Sequence, residues 1–139
     1  MRRLVVDTNI YINWLNAGRY EDVLFRRDVV KHLSAVVLME LRVGALSSRD
    51  RRAVGQIERV FEKADRILVP SRAVYADAGD VLRRLRARRG ANLSGRTEIV
   101  NDVLIALSAR SIGATVATRN ARDFRAIQEV RRFSLEVVE

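Results

Sequence analysis

Residues 4–9 read Leu4-Val5-Val6-Asp7-Thr8-Asn9. Three consecutive branched apolar residues without polar alternation predict a short strand covered on both faces, as in a parallel sheet. An acid placed directly behind such a run stands at the strand's carboxyl end. In open parallel sheets ligands gather there, where the chain order reverses. Asp7 is therefore the first candidate site residue, although D-T-N also suits a helix cap, with Thr8 and Asn9 competing for that position. The basic opening Met1-Arg2-Arg3 precedes an apolar stretch too short to read as a signal peptide or a membrane helix.

Outward from this strand the chain alternates short apolar strands with amphipathic helices, which predicts an α/β domain with a mainly parallel sheet of about five strands, spanning residues 1–139 as a single unit. The expected strands are 4–6, 32–34, 67–69, 115–117 and 133–137. The expected helices are 9–15, 20–30, 36–46, 50–64, 71–88, 97–112 and 121–128. Ser34 and Ser71 are suitable helix caps, and Gly113 a suitable helix exit. The stretch G-A-N-L-S-G at 90–95 is the most linker-like segment but is too short to divide domains.

Two further acids sit among apolar residues. In a helix through 36–46, Glu40 shares its face with Val36, Val37, Val43 and Gly44, so it is expected to point inward, with Gly44 permitting close helix packing. In a helix through 97–111, Asp102 shares its face with Ile99, Ile105 and Ala106, and Glu98 lies one turn earlier. Buried carboxylates without partners cost several kcal/mol or lose their charge. A cation site is the economical explanation. After the fourth strand, A-T-R-N-A-R-D-F at 117–124 adds Thr118, Asn120 and Asp123 at another strand end.

Composition narrows the chemistry. The chain has no cysteine, which excludes disulfides, thiolate metal sites and thiol catalysis, and is compatible with a reducing cytoplasm. Oxygen ligands with a single histidine favour Mg²⁺ or Mn²⁺ over zinc or copper. The net charge of +9 would attract nucleic acid, and all but two of the 26 basic residues are Arg, which also follows from a GC-rich coding sequence. Arg83, Arg84, Arg86, Arg88 and Arg89 crowd one helix end, with Arg96 in the following loop. This surface is either an RNA contact or a solvated helix face. Hard cations beside a basic surface make phosphodiester hydrolysis the natural reaction class.

Four segments carry a family resemblance: V-V-D-T-N at 5–9, M-E-L-R-V-G at 39–44, N-D-V-L-I-A-L-S-A at 101–109 and A-T-R-N-A-R-D-F at 117–124. Together they resemble the PIN domain, and within it the small VapC-type toxins of toxin–antitoxin pairs. Each segment alone is weak, but jointly they fall at suitable element boundaries in the family's order. The resemblance implies a three-layer α/β/α domain and a Mg²⁺- or Mn²⁺-dependent endoribonuclease. It makes Asp7 and Asp102 metal ligands, with Glu40 holding the metal or its water. It further implies an RNA substrate, a homodimer and a cognate antitoxin. At the fourth acid position the chain has Asn120, with Asp123 nearby, and both are candidates. Thr8, Asn9, Glu98 and Thr118 are auxiliary candidates. The alternatives are a PIN-type nuclease acting on DNA or in RNA processing without an antitoxin, and a catalytically inactive module that binds RNA or a partner. His32, entering a strand without another His or Cys, is read as structural, and Trp14 as core.

Overall fold

The computed structural model describes the backbone of residues 1–89 and 97–139, and the side chains of 1–88 and 99–139. Its elements follow the order β1 (Arg2–Val6), α1 (Thr8–Ala17), α2 (Glu21–Leu24), β2 (Val29–Ser34), α3 (Ala35–Gly44), α4 (Ser48–Lys63), β3 (Ile67–Leu68), α5 (Arg72–Arg89), α6 (Thr97–Ser111), β4 (Ala114–Thr118), α7 (Ala121–Val130) and β5 (Ser134–Val137). The five strands form one sheet in the order β3-β2-β1-β4-β5, and every pairing is parallel. Helices flank the sheet in a three-layer α/β/α arrangement.

The apolar run of β1 explains its place at the centre. Leu4, Val5 and Val6 are buried, and their strand pairs with β2 on one side and β4 on the other. Such a strand needs cover on both faces, and only the middle of the sheet supplies it. On either side of β1 the connections run in opposite directions, so the crevice between the carboxyl ends of β1 and β4 is the topological switch point.

The helix ends follow local chemistry. The Ser34 hydroxyl accepts from the backbone N–H groups of Val36 and Val37 at the start of α3, and the Ser71 hydroxyl accepts from Val74 N–H at the start of α5. Gly113 adopts a φ of +67° after α6, the left-handed conformation glycine permits at low cost. Helix α6 is buried from Asp102 through Ala109 without interruption, which makes it an internal helix and accounts for its weak amphipathic pattern.

One expected helix is mostly absent. Only Glu21–Leu24 of the expected 20–30 segment is helical, and the chain then turns into β2 at Val29. Tyr20 takes a left-handed φ of 67° immediately before this single turn. The register from Arg2 opposite Val29 to Val5 opposite His32 uses almost the whole length of β1, so strand pairing overrides any local helical preference of these residues. Arg26 closes the intervening bend with bonds to Asp28, and it reaches Glu136 of β5 at 2.9 Å. His32 lies within β2, and Trp14 packs against the core with its ring edge-to-face on Phe25 at 5.5 Å.

The core closes at the far end of the chain through Phe124 of α7, fully buried and edge-to-face with Phe133 at 6.2 Å between ring centroids. Phe124→Ala should lower unfolding free energy by about 3–5 kcal/mol, whereas Leu46→Ala at an exposed position should change it by less than about 0.5 kcal/mol. Urea unfolding of the two variants checks this, and a loss below about 1 kcal/mol for Phe124→Ala would remove that ring from the core.

Candidate active site

The first acid is fixed by the two strands that meet at the switch point. Asp7 follows β1, and its backbone N–H donates to Ala117 O of β4 at 2.9 Å. Its side chain is 4% exposed. Oδ1 accepts the Thr8 backbone N–H at 2.8 Å and Oδ2 accepts the Thr118 hydroxyl at 2.7 Å. Asp7 is thus the N-cap of α1 and also a member of the crevice, so the two readings of D-T-N hold together. Burial pushes its carboxyl above the usual aspartate range, against the hydrogen bonds from Thr118 and Thr8, while the nearby Glu40 charge adds to the rise.

Asp102, at 7% exposure, faces the same crevice from the first turns of α6. Its Oδ2 accepts a long bond of 3.4 Å from the Asn120 amide, whose nitrogen also donates to Asp123 Oδ2 at 3.0 Å. Asn120 is oriented by its own N–H, which donates to the Thr118 hydroxyl at 2.9 Å. The Thr118 hydroxyl therefore accepts from Asn120 and donates to Asp7. One hydroxyl couples the two strand ends.

Glu40 departs from its expected inward burial. It is half-buried at the edge of an open cleft, and its neighbours Val43 and Gly44 are exposed. A Cβ added at Gly44 would meet nothing within 4 Å, so this glycine does not serve close helix packing. The apolar stripe of α3 is therefore divided: Val36 and Val37 enter the core, while Val43 and Gly44 form a cleft wall. Glu40 Oε1 accepts the Thr8 hydroxyl at 2.5 Å, a length typical of a charge-assisted O–H···O⁻ bond, and Oε2 accepts from the Asn101 amide at 3.4 Å. The sequence reading missed Asn101, although its position directly before Asp102 was a usable signal.

The cleft holds about 580 Å³ and is lined by Asp7, Thr8, Asn9, Glu40, Asn101, Asp102 and Asn120, with Ile12, Met39, Val43 and Gly44 forming its apolar side. The three candidate acids therefore meet, together with Thr8, Asn9 and Asn120. Thr118 and Asp123 touch this set through hydrogen bonds from behind. Glu98, Arg89 and Arg96 lie outside the described side chains. Arg83, Arg84, Arg86 and Arg88 are exposed on α5 and are not among the cleft's described lining; Arg83 pairs with Asp80 at 3.0 Å and Arg88 with Glu129 at 3.9 Å.

The donor set suits a hard divalent cation in a particular way. Among the described residues, no three acidic or histidine side chains converge closely enough to enclose an ion by themselves. Magnesium characteristically keeps several waters and is held through one or two carboxylates, with substrate phosphates completing the sphere. Asp7 and Asp102 in an open, oxygen-lined cleft fit that mode. The upward shift of the Asp7 pKa is the supporting observation: burial and the Glu40 charge outweigh the hydrogen bonds from Thr118 and Thr8, and a cation would favour the charged form.

The sequence model of the PIN domain family matches residues 4–130. No curated protein matches the chain. Among solved structures, similar folds occur in VapBC2 from Rickettsia felis bound to a promoter DNA fragment, with TM-score 0.70 and 23% identity over 99% of both chains. DNA-bound VapBC from Salmonella typhimurium gives TM-score 0.69 and 24% identity, covering 99% of this chain and 98% of that one. VapBC-5 from Mycobacterium tuberculosis, a member of the VapBC family of toxin–antitoxin systems, gives 0.59 and 26%, covering 99% and 100%.

Burial of Asp7 makes a prediction about the metal-free protein. Its folded pKa lies above the ordinary 3.8, so the folded chain holds this proton more tightly than the unfolded one. The resulting stabilisation is complete below 3.8 and is lost as pH rises through the folded value. Asp7→Asn should accordingly raise Tm in EDTA at neutral pH by roughly 2–6 °C, and the gain should vanish on acidification below that range. Calorimetric melts across this pH series check it; a variant less stable at neutral pH would show that the Asp7 charge is already well compensated.

Proposed function

Because the chain belongs to the PIN domain family, we propose that it is a metal-dependent endoribonuclease and the toxin of a VapBC-type pair. The observation that carries this reading is the meeting of two buried carboxylates, Asp7 and Asp102, across the switch-point crevice. Burial makes the Asp7 charge costly, the nearby Glu40 charge adds to that cost, and a divalent cation would offset both.

When bound, Mg²⁺ or Mn²⁺ supplies Lewis acidity toward a phosphoryl oxygen and lowers the pKa of a coordinated water. In this reading Asp7 and Asp102 hold the cation, and the bonds from Thr8 and Thr118 fix the Asp7 carboxylate in one orientation. Glu40, half-exposed and braced by Thr8 and Asn101, is placed to orient the attacking water and receive its proton. Asn120 lines the site, while Asp123 acts behind it by orienting the amide. The apolar wall of Ile12, Met39 and Val43 offers a surface for nucleotide bases or sugars. The exposed α5 residues Arg84 and Arg86 steer the polyanion from outside the cleft.

The antitoxin partner is supported by the VapBC and FitAB complexes among the structural neighbours, including FitAB bound to an IR36 DNA fragment at TM-score 0.69. A homodimer in the cytoplasm completes the proposal. Among the described residues, no helix is long and apolar enough to cross a membrane.

Purified protein should cleave RNA in Mg²⁺ or Mn²⁺ and lose that activity in EDTA, and Asp7→Asn or Asp102→Asn should each lower kcat/KM by at least about 100-fold. Cleavage that persists undiminished in EDTA would overturn the mechanism.

The fourth position separates by variant. Asp123→Asn should weaken Mn²⁺ affinity by about 10-fold through loss of amide orientation. Asn120→Asp should stay active and bind Mn²⁺ more tightly. Calorimetric Mn²⁺ titration reads both, and equal affinities throughout would remove the two residues from the metal site.

A further inference from the structure

The reading of the cleft as a site for RNA leaves open what grips the RNA backbone as it enters. We infer that Arg119, held against the Tyr20 ring that Arg19 also contacts, is a phosphate-seating residue for RNA next to this cleft. This inference rests on the ribonuclease reading but is carried by different residues.

Arg119 lies between Thr118 and Asn120, both of which are locked into the acid network. The backbone on its amino side is fixed as well, because Thr118 O accepts the Val138 N–H at 2.8 Å. The Cα of Arg119 therefore has little freedom, while its side chain is exposed. Its guanidinium carbon stands 5.4 Å from the centroid of Tyr20, and that of Arg19 stands 5.2 Å from the same centroid. Both distances lie within cation–π range.

Tyr20 is built as a platform. It sits between α1 and α2, half-buried, and its phenolic oxygen is buried without a hydrogen-bond partner among the described residues. Its left-handed φ of 67° is uncommon for a residue with a bulky side chain. Strain of that sort persists where surrounding structure demands a particular direction for the ring. Two guanidinium groups thus share one ring, which concentrates positive charge at this point of the surface.

The contrast with α5 sharpens the assignment. Arg83 and Arg88 have acidic partners in Asp80 and Glu129. The partner of Arg19 and Arg119 is a ring, which orients a guanidinium without occupying its N–H donors. Those donors form the planar fork that matches a phosphate in bidentate fashion. Asn120 lines the cleft, whereas Arg119 and Tyr20 are not among its lining residues, so a phosphate seated on Arg119 belongs to a nucleotide just outside the acid crevice.

The test uses a short fluorescein-labelled oligouridylate and Asp102→Asn protein in EDTA, so that binding is read without cleavage. Adding Arg119→Ala should weaken binding about 5-fold and reduce the slope of log affinity against log salt by about 0.7 between roughly 50 and 200 mM salt. Tyr20→Leu should weaken binding in the same direction, and Tyr20→Phe should retain it, with melting curves confirming folded protein. In the protein with Asp102 intact and Mg²⁺ present, Arg119→Ala should raise KM while kcat stays within about 3-fold. Unchanged affinity and slope overturn the inference, as does a fall in kcat at constant KM. Wild-type cleavage of RNA alongside a silent Arg119→Ala rejects only the seating role. Arg119-dependent RNA binding without any cleavage rejects the ribonuclease reading and leaves the seating role standing.

Discussion

Holding a carboxylate at the buried end of β1 is the constraint on which the rest of the arrangement depends. Moving such a group out of water costs several kcal/mol even after relaxation, while a hydrogen bond to a charged group returns about 1.5–3 kcal/mol. Asp7 receives two bonds, from Thr8 N–H and the Thr118 hydroxyl, and its carboxyl still lies above the ordinary range. The compensation is deliberate but incomplete. In our reading a divalent cation would supply the remaining compensation.

Topology converts that local imbalance into a site. Because β1 is central and β4 is its neighbour, the end of each strand delivers a polar group to one crevice, Asp7 from β1 and Thr118 with Asn120 from β4. Helix α6 adds Asp102 from within a continuously buried segment, so its backbone is held by packing on all sides. Helix α3 contributes Glu40 from a looser position on the open wall. The rigidity of the four contributors is therefore unequal. Two strand ends and an internal helix fix Asp7, Asn120 and Asp102, while Glu40 stays half-exposed; in our reading the rigid acids hold the ion and Glu40 the water.

What could be read from sequence follows the same division. The Leu4–Val6 run specified a doubly covered strand, and the acid behind it specified a strand-end position, because both features are local. The α/β class and the parallel sheet followed from alternation of elements. Two misreadings arose where local pattern and tertiary context disagree. The local pattern predicts a helix over 20–30, yet Val29 and Val30 pair with β1, a contact no local window contains. Val43 and Gly44 resembled a buried stripe around Glu40, yet they line an open cleft, since apolar periodicity marks a face without saying whether protein or ligand covers it. Asn101 had a local signal in its place beside Asp102, but its partner Glu40, like the Tyr20 partner Arg119, lies far away in sequence.

A site that handles RNA with a divalent cation faces an internal conflict, since it needs acids for the ion and bases for the phosphates within a few ångströms. Left free, the two sets would pair with each other, and such a pair resists the entry of both ion and substrate. In our reading geometry resolves the conflict at Arg119. Its peptide is pinned between Thr118 and Asn120 in the acid network, yet its guanidinium is drawn onto Tyr20, a partner that attracts positive charge without being an anion. An aromatic ring is well suited to this task because its attraction is weaker than that of a carboxylate and leaves the hydrogen-bonding edge of the guanidinium available. In this reading the left-handed backbone of Tyr20 is part of the cost of presenting the ring that holds the guanidinium away from the acids.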